Sequence, residues 1–198
     1  MMRANSTQQL KDLLKEHILI LDGAMATMIQ SYQLTETDFR GERFADYPCE
    51  VKSNNDLPSI TQPDVIRAIH RAYCEAGADI IETNAFGSTA IAMSDYQMAE
   101  YAYDINFAAA QLARQVADEF TTDAPHKPRL VAGSMGPTNR CCSISPDVND
   151  PGYRNITSDQ LTAAYSEQAE ALIDGGVDVL LVETVFDTLS CRAALFAI

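Results

Sequence analysis

Acidic residues that directly follow short apolar runs are the groups in this 198-residue chain best placed to do chemistry. Ile18-Leu19-Ile20-Leu21 leads into Asp22-Gly23, Ile80-Ile81 into Glu82-Thr83, and Val179-Leu180-Leu181-Val182 into Glu183-Thr184. An acid at the exit of a buried strand stands where an open α/β site binds an ammonium group or exchanges a proton. Gly23 lets the backbone beside Asp22 approach a ligand closely, although the same pair also reads as a turn aspartate capping the next segment of chain. A fourth exit, Gly133-Ser134-Met135-Gly136-Pro137, reads either as a concavity of backbone N–H groups for a carboxylate or as a plain Gly-Pro turn. Asn54, Asn55 and Asn84 add amide groups in or beside loops. The soft ligands do not assemble. His17, His70 and His126 are scattered, and Cys141-Cys142 has no Cys or His at a usual short metal spacing. Cys74 and Cys191 fall in helical stretches, where thiols pack as small apolar groups.

These exits need elements that hold them together. Residues 6–16 read as a short helix, and residues 18–21 as a buried strand entering a turn. Thr61 and Asp64 match a capping box ahead of the stripe Val65, Ala68, Ile69, Ala72, Tyr73 and Ala76, with Gly77 as the stop. A long helix is expected over residues 96–120, then a strand at Leu130-Val131-Ala132. Thr157 and Gln160 give a second capping box before Leu161, Ala164, Tyr165, Ala169 and Leu172, with Gly175-Gly176 as the stop and a last helix near Thr188. Residues 30–58 and 138–155 are long polar excursions. The most informative pattern is internal. Glu75-Ala76-Gly77-Ala78-Asp79 followed by Ile80-Ile81-Glu82-Thr83 recurs as Asp174-Gly175-Gly176-Val177-Asp178 followed by Val179-Leu180-Leu181-Val182-Glu183-Thr184. The second strand is longer by one strand period, which keeps the terminal Glu on the same face in both copies.

Four such units with chemistry at the strand exits predict an α/β chain of the (β/α)8 TIM-barrel type, with only about the first four βα units present. A doubly wound sheet is the competitor, but Asp22-Gly23-Ala24-Met25-Ala26-Thr27 lacks the glycine spacing of a dinucleotide fingerprint. A complete barrel takes roughly 250 residues. The chain instead ends at Leu195-Phe196-Ala197-Ile198, inside an apolar helix without a stop signal, so residues 1–198 read as the N-terminal half of a barrel domain. Composition narrows the function. With 46% apolar and 21% charged residues the chain is ordinary globular material. Its longest uncharged stretch, residues 23–35, is too short and too polar for a membrane span. The polar opening, residues 1–16, lacks a secretory signal, and five cysteines are an odd number that suits reduced thiols, so a cytoplasmic location is expected. A net charge of -14 argues against nucleic acid and anionic membranes as partners.

The segments ILILDGAMATMIQ (18–30), DFRGERF (38–44), ADIIETNAF (78–86), residues 88–98, GPTNRCCSISPDVNDPGYRNI (136–156) and ETVFDTL (183–189) resemble the homocysteine-binding module of cobalamin-dependent methionine synthases. The strand-exit pieces suit the wider homocysteine S-methyltransferase family, including betaine- and S-methylmethionine-dependent enzymes. RGERF and SISPDVNDP resemble the cobalamin enzymes in particular. The resemblance implies a barrel that binds homocysteine and zinc at its top face, beside modules for methyltetrahydrofolate, cobalamin and S-adenosylmethionine. Carried over by position, Asp22 and Gly23 belong to the homocysteine pocket, Glu183 pairs with the substrate's amino group, and Ser134 lies near its carboxylate. Ala26 stands where the family's opening motif usually has a second glycine. The family's three zinc cysteines come from the later part of the barrel, beyond Ile198. No metal role therefore passes to Cys141-Cys142, no residue is assigned a catalytic role, and the fragment alone is expected to be inactive. The alternatives are a stand-alone betaine- or S-methylmethionine-dependent methyltransferase and a non-catalytic amino-acid-binding barrel.

Overall fold

The computed structural model describes residues 6–198; residues 1–5, the start of the polar opening stretch, lie outside the described residues. A parallel three-stranded sheet of β1 (Ile80–Glu82), β2 (Leu130–Met135) and β3 (Val179–Val182) is ordered as in the chain. Helix α5 (Pro63–Ala76) precedes β1, α7 (Ala102–Asp123) joins β1 to β2, α8 (Ser158–Gly175) joins β2 to β3, and α9 (Thr188–Ala197) follows β3. Shorter helices fill the remaining stretches: α1 (Ser6–Glu16), α2 (Met25–Ser31), α3 (Glu36–Arg40) and α4 (Pro58–Thr61) before α5, and α6 (Ala90–Met93) after β1. Residues 18–21 extend the sheet beyond β1 through one parallel bridge, Leu21 to Ile80.

Register decides which side chains meet. Glu82 pairs with Ala132, Ala132 with Val179 and Ser134 with Leu181. With a strand period of two, Glu82, Ser134 and Glu183 share one face; for the two glutamates the internal repeat predicts this. The opposite face carries Ile81, Val131 and Met135, which pack with Ala109, Ala113, Leu161 and Leu172 of the helices into the main core. Gly133 belongs to that face because a Cβ there would meet Leu172 and Leu180 at 3.1 Å. A second core is built by the first excursion, where Ile29, Phe39, Phe44, Val51 and Leu57 pack on Ile66, Ile69 and Ile105.

Both copies of the repeat end their helix on a left-handed glycine, Gly77 at φ 109° and Gly176 at φ 98°. Both then use the aspartate before the strand in the same way. Asp79 Oδ2 accepts the Ile20 N–H at 2.9 Å, and Asp178 Oδ2 accepts the Val131 N–H at 2.8 Å. Each carboxylate thus latches its own strand to the strand before it. Asp178 also receives Ser6 Oγ of α1 at 2.6 Å and Arg114 Nη1 at 2.6 Å.

Several local expectations are corrected. Residues 18–21 pair as predicted but are not buried: Ile18 is 85% and Ile20 56% exposed, because the segment has a strand partner on one side only. The capping box at Thr61 does not form. Thr61 closes α4, and α5 starts from Gln62 with Pro63 in its first turn, where a missing N–H costs nothing. A capping box forms instead at Thr35 and Asp38, opening α3 inside the supposed loop, while Thr157 and Gln160 cap α8 as predicted. The helix expected over 96–120 begins only at Ala102, since Gln97 turns left-handed at φ 57° between two short 3-10 turns. Finally, Gly133-Ser134-Met135 is neither a turn nor an anion-binding concavity. It continues β2, with the Ser134 N–H held by Thr83 Oγ1 at 3.0 Å and the Gly136 N–H by Phe86 O at 3.1 Å. No helix among the described residues is long and apolar enough to cross a membrane.

Candidate functional site

The C-terminal ends of these strands open into a cavity of about 560 Å³. Asp22, Gly23, Ser134 and Glu183, the positions singled out in the sequence, all line it, as does Glu82. The strand exits build this arrangement through one another. Asp22 Oδ1 accepts the Glu82 N–H at 2.9 Å, and Ser134 Oγ donates to Glu183 Oε1 at 2.5 Å. Glu183 is fixed from behind by its own N–H, which donates to Met135 O at 3.2 Å. The next residue, Thr184, takes a left-handed backbone at φ 52°, a sparsely populated conformation for a β-branched residue.

The far wall comes from the first excursion and from the segment after β1. Asn54, Asn55 and Asp56 lie there against Asn84, Phe86 and Gly87. Asp56 is buried and accepts the Gly87 N–H at 3.0 Å; a Cβ on Gly87 would sit 2.9 Å from that carboxylate oxygen. Asn84 Nδ2 donates to Asn55 O at 2.8 Å, which ties the two segments together. Ala24, Met25, Phe86, Ala92 and Met93 give the cavity an apolar flank.

The electrostatics are one-sided, since no Lys, Arg or His is among the lining residues. Burial pushes the Asp22 carboxyl from an ordinary 3.8 up to about 7, and the charge of Glu183 adds to it against the hydrogen bond from the Glu82 N–H. Burial likewise raises Glu82 to about 7, reinforced by the charges of Glu183 and Asp22. Burial also pushes Asp56 to about 7, against hydrogen bonds from the Gly87 N–H and from Ser88. Such a rim holds protons at neutral pH and favours a cationic guest, which relieves crowded carboxylates. It offers hydrogen bonds, but no fixed cation, to an anion.

Among the described residues no group of three His, Cys, Asp or Glu is placed to hold a metal ion. The Cys141 thiol donates to Asp187 Oδ2 at 3.0 Å and Cys142 is buried, so this pair serves a hydrogen-bonded loop. A zinc ion does not fit the donors present. His70 is buried in α5, where burial drives it down to about 4, and it does not line the cavity.

Sequence reasoning underused Glu82 and missed Asp56, Phe86 and Tyr96 on the cavity wall. The signal for Asp56 lies in the polar run Ser53-Asn54-Asn55-Asp56 set directly against Leu57-Pro58, a boundary that an excursion with its own core requires. Phe86 gave no signal, because its place depends on backbone pairing with Gly136.

Comparison with known proteins agrees with this geometry. Among solved structures, the homocysteine methyltransferase MmuM from Escherichia coli is similar. Its metallated form is 24% identical, with a TM-score of 0.70 over 95% of this chain and 62% of that one. The oxidised form is 25% identical with the same TM-score, over 95% of this chain and 61% of that one. The chain therefore spans less than two thirds of the length of these relatives. The family model for homocysteine S-methyltransferase matches residues 19–198, and the chain belongs to that family.

Proposed function

We propose that this chain is the homocysteine-binding, N-terminal half of a (β/α)8 barrel, working in a methionine-synthase-type enzyme. The observation that carries the reading is the convergence of Asp22, Ser134 and Glu183, with Glu82, on one cation-seeking cavity at the exits of consecutive parallel strands. In support of a barrel, the strands are neighbours in chain order without the reversal that defines a doubly wound sheet. The sheet also ends in apolar, exposed flanks, Ile18 and Ile20 on one side and Val185, Phe186 and Leu195 on the other. Five free cysteines support a cytoplasmic enzyme.

In this reading Glu183, oriented by Ser134 Oγ, receives the substrate ammonium. Asp22 and Glu82 hold the protons that their raised pKa values allow and release them as the ammonium arrives. The Met25, Phe86 and Met93 flank takes the methylenes and sulfur, and Gly23 leaves room for the substrate backbone. None of the described residues would hold zinc; cysteines of later sequence would, and the ion would there supply Lewis acidity that favours deprotonation of a substrate thiol. The RGERF and SISPDVNDP stretches favour methylcobalamin, recharged from 5-methyltetrahydrofolate by further modules of the same protein, as donor. Betaine and S-methylmethionine are the alternatives.

The test is calorimetric titration of homocysteine into the full protein, followed by methyl-transfer assays with each of the three donors. Homocysteine binding that is weakened about tenfold to hundredfold in Glu183→Gln, with turnover from methylcobalamin, is the expected result. Turnover from betaine or S-methylmethionine reassigns the donor. Binding without turnover from any donor favours an amino-acid-binding barrel, and absence of homocysteine binding overturns the reading. Zinc-dependent methylation by residues 1–198 alone would overturn the assignment of the metal ligands to later sequence.

A further inference from the structure

We propose that Asp187 is a positioning residue, which fixes Glu183 in place by locking the 138–155 excursion onto the exit of β3. The proposal rests on the reading of Glu183 given above. Asp187 is 5% exposed and collects donors from two separate parts of the chain. From the first turn of α9 come the Leu189 N–H at 3.1 Å, the Ser190 N–H at 3.3 Å and Ser190 Oγ at 2.5 Å. From the excursion come Cys141 Sγ at 3.0 Å, the Cys142 N–H at 3.2 Å and Ser143 Oγ.

A helix cap needs only the first set. The second set has a different consequence. Ile144 and Val148, further along the excursion, are exposed, so near the site the segment is held by its polar contacts with Asp187, by the burial of Cys142 and by Asn139 Nδ2 on Asp95. Pro137 and Asn139, immediately before the clamped residues, line the cavity. Glu183 lies four residues before Asp187, across the left-handed Thr184. It is therefore held between its N–H bond to Met135 O and the Asp187 hub. Burial opposes the charge on Asp187, but hydrogen bonds from Ser143, Ser190, Cys141 and Leu189 outweigh it and keep the carboxyl well below the usual carboxylate range. The clamp therefore favours the ionised carboxylate.

Two cuts separate positioning from capping. Asp187→Ser leaves a short oxygen that caps α9 but does not reach the excursion. Cys141→Ala with Ser143→Ala removes two of the three excursion donors, keeping only the Cys142 N–H, and leaves the cap whole. In the full protein, each cut is expected to raise the KM and Kd for homocysteine about tenfold, with kcat held within about twofold. Combining the cuts should add little, and Asp187→Asn, which keeps one acceptor oxygen, should recover part of the loss. Amide exchange at Glu183 and at residues 139–143 should quicken in both cuts, with or without ligand. Unchanged exchange at Glu183 and unchanged homocysteine affinity, with only a lower unfolding midpoint, would reduce Asp187 to a cap and overturn the proposal. If the parent protein does not take homocysteine, the functional reading falls. Exchange at Glu183 then still decides whether Asp187 fixes it, and no change there overturns the proposal.

Discussion

At the N-terminal ends of the strands, Asp178 has Arg114, Ser6 and the Val131 N–H on its two oxygens, and Asp79 has the Ile20 N–H with Lys127 at 3.6 Å. At the C-terminal ends, Asp22, Glu82 and Glu183 crowd one cavity whose lining holds no basic side chain. The same residue type at opposite ends of one sheet serves opposite purposes. Below, paired carboxylates stabilise the sheet. Above, crowded carboxylates cost stability that a cationic ligand can offset.

The contrast breaks first at Asp178. Asp178→Ala takes the acceptor from the buried Val131 N–H and from Ser6 Oγ and leaves Arg114 only Asp118 as an ion-pair partner, and should cost about 2–3 kcal/mol in denaturant unfolding without directly altering the upper cavity. A loss below about 1 kcal/mol would show that the lower end is not a stabilising network. The upper end should respond the other way. Glu183→Gln should weaken homocysteine binding about tenfold to hundredfold, read by calorimetry, with the unfolding midpoint unchanged or raised. The pH dependence of stability sharpens the point. Asp22, Asp56 and Glu82 have raised values near 7, so the folded protein keeps protons that the unfolded chain has released. Their contribution is greatest at acid pH and falls as pH climbs from about 4 through about 7. Glu82→Gln should flatten that fall in unfolding measured across the range. Ser134→Ala removes the hydroxyl that orients Glu183 and should cost about 1 kcal/mol of binding. The smallest effect belongs to Lys127→Ala, whose half-exposed partner contact to Asp79 should contribute no more than about 0.5 kcal/mol.

Much of the upper end was legible because strand periodicity is a local property. The repeated Asp, apolar run and Glu-Thr set the phase of β1 and β3 and so bring Glu82 and Glu183 to one face, which Ser134 joins through the register of β2. The glycine stops and the Thr157 cap were legible for the same reason. What failed depended on partners distant in sequence. Gly133 and Ser134 looked like a turn because glycine marks turns, yet the close approach of Leu172 demands a missing side chain within a strand. Thr61 looked like a cap because nothing local shows that Pro63 starts the helix better. Asp187 carried no assignment from the sequence, since its donors at residues 141–143 lie more than forty positions away.

The latches of Asp79 and Asp178 have a consequence for how the chain is made. Each is carried by the later strand and closes on the earlier one, Asp79 on Ile20 and Asp178 on Val131. During synthesis β2 can pair with β1 first, but its latch is expected to close only after the aspartate leading the next strand has emerged from the ribosome. Docking is then expected to follow the order of translation. Arrest of nascent chains just before and just after Asp178, followed by brief proteolysis, should show β2 better protected in the longer product.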